Sequence, residues 1–169
     1  DVPPRKVEAL EPRAEKTAAA ANTLIEGARG VLGDRDRANM VLLRGFSQMP
    51  ELPNFGQNYQ LNPAAIAAYP MYRGLAKVAG MTVIPTGPNF RAEVETLSQH
   101  FQEYDFFYLH YKPADAAGED GNFDAKVQAL EALDGFIPSL LDLQPDAFVV
   151  AGDHATPSVL SAHGWQPVP

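Results

Sequence analysis

The sequence predicts an α/β fold, with a mostly parallel sheet flanked by helices. Three observations lead there. Short apolar runs rich in β-branched and aromatic residues alternate with longer stretches whose apolar residues recur at helical spacing. The run at residues 147–151, Ala-Phe-Val-Val-Ala, is continuously apolar, as strands covered on both faces of a parallel sheet are. The chain's 169 residues, 46% hydrophobic and 20% charged, suffice for one core, or for one domain with part of another.

The elements follow in order. Over residues 12–32, Leu24, Ile25, Ala28, Val31 and Leu32 share one face of a 3.6-residue period, and Gly33 supplies a stop. Gly27 and Gly30 weaken the interior of that helix. Met40, Val41, Leu42 and Leu43 form a short candidate strand closed by Arg44-Gly45. Residues 46–62, rich in Pro, Asn, Gln and Gly, read as a loop or a crossing between domains.

Beyond residue 62 the texture changes. Residues 64–68 are a short apolar element of either type, and residues 71–79 read as a helix ended by Gly80. Residues 82–84 are a strand, and residues 91–103 a helix with Val94, Leu97 and Phe101 inward. Residues 105–111 are strongly β-prone, and residues 123–136 return to helical spacing through Val127, Leu130 and Leu133. The strand at 147–151 closes the series.

Composition narrows the function. Thirteen basic against twenty-one acidic residues leave a net charge of -8, the wrong sign for a generic nucleic-acid binder but compatible with a local cationic pocket for a small anion. No stretch approaches the roughly 20 apolar residues of a membrane helix. With no cysteine, disulfides, thiolate catalysis and Cys-ligated zinc are all excluded, in keeping with a cytoplasmic chain. Neither nucleic acid nor membrane is expected as a partner. The chain opens on Asp1-Val2-Pro3-Pro4 without Met and stops at Gln166-Pro167-Val168-Pro169 where an apolar strand could begin, so an incomplete chain is expected.

In open α/β sheets ligands sit beyond the carboxyl ends of the strands, and two such ends carry chemistry. The strand at 105–111 runs into Lys112-Pro113-Ala114-Asp115-Ala116-Ala117-Gly118-Glu119-Asp120-Gly121, and the strand at 147–151 into Gly152-Asp153-His154-Ala155-Thr156-Pro157, with His163 nine residues after His154. Carboxylates and imidazoles are the ligands that ions such as Zn²⁺ and Mn²⁺ accept. Side by side, the two loops would gather Asp115, Glu119, Asp153, His154 and His163. Asp153 and His154, being consecutive, would point apart and serve two ions, and ions about 3.5–4 Å apart are a recurring clamp for phosphoryl transfer. Taken singly these residues have ordinary readings. An Asp after a strand commonly caps a helix or forms a turn, and Glu119-Asp120-Gly121 alone is an acidic turn. His110 reads as a packed strand histidine, His100 as a solvent-facing one, and Thr156 and Ser158 as loop and helix caps.

The ordered set is more specific than its parts. The segments Ala38-Asn39-Met40-Val41-Leu42-Leu43-Arg44-Gly45, His110 to Gly121, Gly152-Asp153-His154-Ala155-Thr156-Pro157 and His163 to Pro169 together resemble the archaeal-type, 2,3-bisphosphoglycerate-independent phosphoglycerate mutases of the alkaline phosphatase superfamily. The resemblance runs over nearly the whole chain, and Gly-Asp-His-x-Thr-Pro is its most specific piece. It implies an alkaline-phosphatase-like core over residues 62–169 and the second part of an inserted α/β domain over residues 1–61, both incomplete.

It further implies a glycolytic isomerase of the cytoplasm that interconverts 3-phosphoglycerate and 2-phosphoglycerate through a phosphorylated Ser or Thr, the nucleophile lying before Asp1. Two divalent ions are implied, manganese first, with zinc, magnesium or cobalt as alternatives. One would be held by Asp115, the position of Glu119, and His163, and the other by Asp153 and His154 with an Asp and the nucleophile from the preceding segment. The family has His where this chain has Glu119, a substitution that hardens the ligand set or marks a weakened site. Arg73, Arg44 and Lys112 are the candidates for holding a small phosphorylated carboxylate, for which cationic, bidentate contacts are suited. Two other readings follow from the same residues: another phosphoesterase or phosphotransferase of the superfamily, or a non-catalytic relative.

Overall fold

The computed structural model describes residues 5–43 and 45–169, in two compact units, Asp1–Pro50 and Glu51–Pro169. The first is built on a 3-10 turn, Pro12–Ala14, leading into helix α1 (Glu15–Leu32), as the spacing predicts. Asn22 ties the preceding segment to it, accepting from the Val7 amide and donating to the Val7 carbonyl, each at 2.9 Å. Only Ala21 of the helix is buried, and Leu24 and Val31 of the expected inward face are exposed. The expected strand at residues 40–43 is an unpaired segment. Its apolar residues favour extended backbone, but no strand in that unit offers them a ladder among the described residues.

The second unit is a three-stranded parallel sheet of order β2-β1-β3, with β1 Pro63–Ile66, β2 Thr82–Val83 and β3 Phe106–Leu109. The central strand pairs Ala64 with Thr82 on one side and with Phe107 on the other. All four of its residues are buried, which resolves the short apolar run as a strand. Helix α2 (Phe55–Tyr59) precedes the sheet, α3 (Pro70–Val78) joins β1 to β2, and α4 (Phe90–His100) joins β2 to β3. After β3 come α5 (Pro113–Glu119), α6 (Phe123–Asp134) and α7 (Ile137–Leu141).

Local chemistry sets these boundaries. Asn54, Asn89 and Asn122 cap α2, α4 and α6, each accepting at 3.0 Å from an amide of the first turn. The cap at Asn54 explains why α2 forms inside a segment that reads as a loop. Pro70 and Pro113 start α3 and α5 in positions that need no amide donor. Gly80, at φ 82°, follows α3 in the left-handed region, and a Cβ there would meet the Asn54 side chain at 2.1 Å. The core joins Ile66, Ile84, Val94, Leu97 and Leu140, with Phe90, Phe107 and Phe136 packed against it.

Residues 147–151 are not the buried strand that their composition suggests. They are exposed, and their backbone does not join the sheet. Phe148, Val149 and Val150 instead line one side of a cleft of about 700 Å³, whose other side includes Tyr108 and Leu109 of the edge strand β3. A strand needs a neighbour within ladder distance, and residues 147–151 pair with none in the sheet.

Glu93 is the unexpected member of the core. It is 2% exposed on α4, and its Oε1 accepts from the Ala68 amide at 2.7 Å just beyond β1, while Oε2 has no hydrogen-bond partner among the described residues. Burial pushes this carboxyl up to about 7, against the lowering effect of the Ala68 and His110 backbones. A carboxyl raised in the native state keeps a proton that the unfolded chain releases. Its stabilising contribution is therefore full below the ordinary value near 4.5 and falls as pH rises toward 7. The thermal unfolding temperature of the wild type relative to that of Glu93→Gln is expected to fall as pH rises through that window and to level off above it. A difference independent of pH would remove this carboxyl from the titration.

Candidate metal centre

The site forms where β3 ends. His110, Tyr111 and Lys112 leave the strand, and Pro113 opens α5, so the expected acidic loop is a helix. Helical spacing then places Asp115 and Glu119 on one face, with Lys112 one turn before Asp115. Asp115 lies in the first turn, where a carboxylate is favoured by the helix dipole.

The second half is a tight return of the chain. Ala155 and Gly164 form an antiparallel bridge, the Gly164 amide donating to the Ala155 carbonyl at 2.8 Å. His154 and His163 each precede a bridged residue, so with Thr156 they project from the same face of the return. Their rings lie 3.9 Å apart between centroids. Gly118 of α5 allows this return to pack close, because a Cβ there would lie 2.3 Å from the Thr156 carbonyl oxygen. Lys126 of α6 donates to that same oxygen at 2.5 Å.

Asp115, His154 and His163 each bring one ligand atom within 4.8 Å of the other two. Thr156 donates to Asp115 Oδ1 at 2.5 Å, and its oxygen lies 3.1 Å from His154 Nδ1. Lys112 is paired with Asp115 and lies 3.6 Å from Glu119 Oε2. Glu119 Oε1 in turn approaches His163 Nε2 at 3.3 Å. Asp153, mostly exposed, does not diverge from His154 as consecutive residues were expected to do: its Oδ2 lies 3.6 Å from His154 Nε2.

Electrostatics follow the contacts. Burial pushes Asp115 up, but hydrogen bonds from Lys112 and Thr156 outweigh it and hold the carboxyl below its ordinary range. The bond to Asp115 holds the Lys112 ammonium above its usual range. His110, half-buried, stacks on Tyr72 at 3.4 Å between centroids, and burial lowers its imidazole below the ordinary value. The Lys112 ammonium also lies 5.8 Å from the Tyr69 ring. His100 lies 3.0 Å from Glu103 in a pair that remains largely solvent-accessible.

The other expected residues sit differently. Arg73 is half-buried on α3 next to Tyr72 and makes no ion pair among the described residues. Arg44 lies outside the described residues. The sequence alone assigns Thr156 to capping and gives no part to Lys126 or Glu93. The spacing of Thr156 from His154 carried a signal, since positions i and i+2 of an extended segment share a face.

Two imidazoles and one carboxylate in mutual reach, with Glu119 and Asp153 close to the two histidines, could hold a divalent ion. A protein-family comparison agrees. The model of the Metalloenzyme superfamily matches residues 9–169. The chain belongs to this superfamily. It is 46% identical over 167 residues to a probable 2,3-bisphosphoglycerate-independent phosphoglycerate mutase of Thermosipho africanus, covering 99% of this chain and 42% of that protein. It is 48% identical over 162 residues to the probable enzyme of the same name from Thermotoga petrophila, covering 96% of this chain and 40% of that one. The PH0037 protein of Pyrococcus horikoshii superposes with a TM-score of 0.73 at 27% identity, over 93% of this chain and 47% of its own. The chain thus spans about two fifths of the length of the curated relatives it matches. The α/β layer with its parallel sheet is consistent with the alkaline-phosphatase-like core that the resemblance implied.

Among the described residues, no helix is long and apolar enough to cross a membrane.

Proposed function

We propose that the full-length protein carrying this chain interconverts 3-phosphoglycerate and 2-phosphoglycerate in the cytoplasm, independently of 2,3-bisphosphoglycerate. The observation that carries this reading is the convergence of Asp115, His154 and His163 at the strand ends of a metalloenzyme-superfamily chain that matches probable mutases at this identity. Residues 62–169 contribute to the catalytic core and residues 1–61 to an inserted domain.

Asp115, Glu119 and His163 would hold one divalent ion, and Asp153 and His154 a second, with manganese the first candidate. Such ions, when bound, draw charge off phosphoryl oxygens and lower the pKa of an adjacent hydroxyl. The chain's own residues prepare that setting. Lys112 supplies a cation beside the carboxylates, available to a phosphate oxygen or to the substrate carboxylate. Arg73, on α3 next to Tyr72, is the second candidate cation. The Ser or Thr that carries the phosphoryl group would come from polypeptide outside these 169 residues. Holding that group until it returns to the neighbouring hydroxyl separates a mutase from a phosphatase.

The test is a coupled assay of the full-length protein with 3-phosphoglycerate. Mn²⁺-dependent formation of 2-phosphoglycerate, lost in chelator, is expected. Hydrolysis of 4-nitrophenyl phosphate with no 2-phosphoglycerate above the chelated control would replace the mutase reading with a phosphoesterase one.

A further inference from the structure

Thr156 is 4% exposed, and its hydroxyl stands between two residues of the metal centre, 2.5 Å from Asp115 Oδ1 and 3.1 Å from His154 Nδ1. A hydroxyl has one proton to give, and a carboxylate can only accept. The Thr156 proton therefore goes to Asp115, and the bond to His154 forms only if the imidazole donates. That places the ring hydrogen on Nδ1 and leaves the lone pair on Nε2, the nitrogen that faces Asp153 Oδ2 at 3.6 Å.

The hydroxyl is held rather than free to turn. The Thr156 carbonyl accepts from Lys126 Nζ at 2.5 Å and packs where Gly118 has no Cβ, so α5 and α6 together clamp the residue. The ring partner of a metal-binding histidine sets which nitrogen is free for the metal, and in most such sites that partner is a carboxylate, a carbonyl or water.

We propose that Thr156 is a positioning residue that fixes His154 as the Nδ1–H tautomer, so that Nε2 and Asp153 face one divalent cation while Asp115 and His163 face the other. Lys126 and Gly118 hold Thr156 in place for this task. The inference rests on the metal-binding reading of the site, and two readouts keep the two separable.

The experiment compares wild type, Thr156→Val and Thr156→Ser in the full-length protein. Val keeps the branched shape and loses the hydroxyl, whereas Ser keeps the hydroxyl. Nitrogen shifts of isotope-labelled histidine, recorded metal-free at about pH 8 where imidazoles are neutral, report the tautomer. Calorimetry with Mn²⁺ reports affinity. Wild type and the Ser variant are expected to show His154 protonated at Nδ1, and the Val variant a mixture of tautomers with about 10–100-fold weaker Mn²⁺ binding. Val and wild type with the same His154 tautomer and the same affinity would overturn the role of Thr156. Wild type that binds no Mn²⁺, with the tautomer still dependent on Thr156, would overturn the metal reading instead.

Discussion

Full-length protein carrying Asp115→Asn is expected to lose about a thousandfold of its mutase turnover, the equivalent of roughly 4 kcal/mol of transition-state stabilisation. Asp115 is the residue on which most of the site's contacts meet. It accepts from Thr156, pairs with Lys112, and lies in mutual reach of His154 and His163. The amide keeps the shape of the side chain but gives up the charge that both Lys112 and a cation require. It also changes the balance around Lys112, whose ammonium would be left with Glu119 at 3.6 Å as its remaining acidic partner. Steady-state turnover at saturating 3-phosphoglycerate and Mn²⁺ is the measurement. An Asn variant within tenfold of wild type would take Asp115 out of the metal centre.

Gly118→Ala is expected to have the largest effect on stability among changes around the site. An Ala is normally favoured over Gly in a helix by about 1 kcal/mol, and α5 would gain that much. The new Cβ, however, would stand 2.3 Å from the Thr156 carbonyl oxygen and 3.1 Å from Lys126 Nζ. The first of these is backbone and cannot swing aside. Overpacking costs about 1–3 kcal/mol, and the upper end applies where backbone blocks the new Cβ, so the balance is a loss of about 2 kcal/mol. For a unit of this size that lowers the Tm by about 8 °C. Because Thr156 would be pushed off Asp115 and His154, Mn²⁺ affinity should fall along with the Tm. A variant that is as stable as wild type would show that the return at residues 154–164 is free to shift away from α5.

The parts of the fold that could be read from the sequence are those with period and punctuation. From residue 71 to residue 109, α3, β2, α4 and β3 follow the apolar spacing and the Gly80 stop, and the structure places them within a few residues of the expected bounds, while the apolar run that became β1 had no period to tell strand from helix. Two strands failed for one reason. Residues 40–43 and 147–151 have the composition of strands, but a strand exists only in a pair, and no single sequence states its partner. The loop that became α5 hid its helix because Asp115 and Glu119-Asp120-Gly121 read first as cap or turn residues.

The site was legible to a similar degree. The two strand-end segments pointed to Asp115, Asp153, His154 and His163, and the helical spacing of Asp115 and Glu119 was present in the sequence once α5 was allowed. What could not be read is which atoms meet. That Thr156 bridges Asp115 and His154, and that Lys126 reaches the Thr156 carbonyl across 30 residues, depends on how α5, α6 and the return pack. Glu93 left a fainter trace, since it lies four residues before the inward Leu97 and so shares its face of α4.

Anomalous diffraction at the manganese edge, on crystals of the full-length protein grown with Mn²⁺, tests the central claim most directly. Two peaks are expected, one against Asp115, Glu119 and His163 and one against Asp153 and His154. Bound Mn²⁺ elsewhere in the crystal, with no peak at these five residues, would contradict a metal centre at the strand ends of this chain.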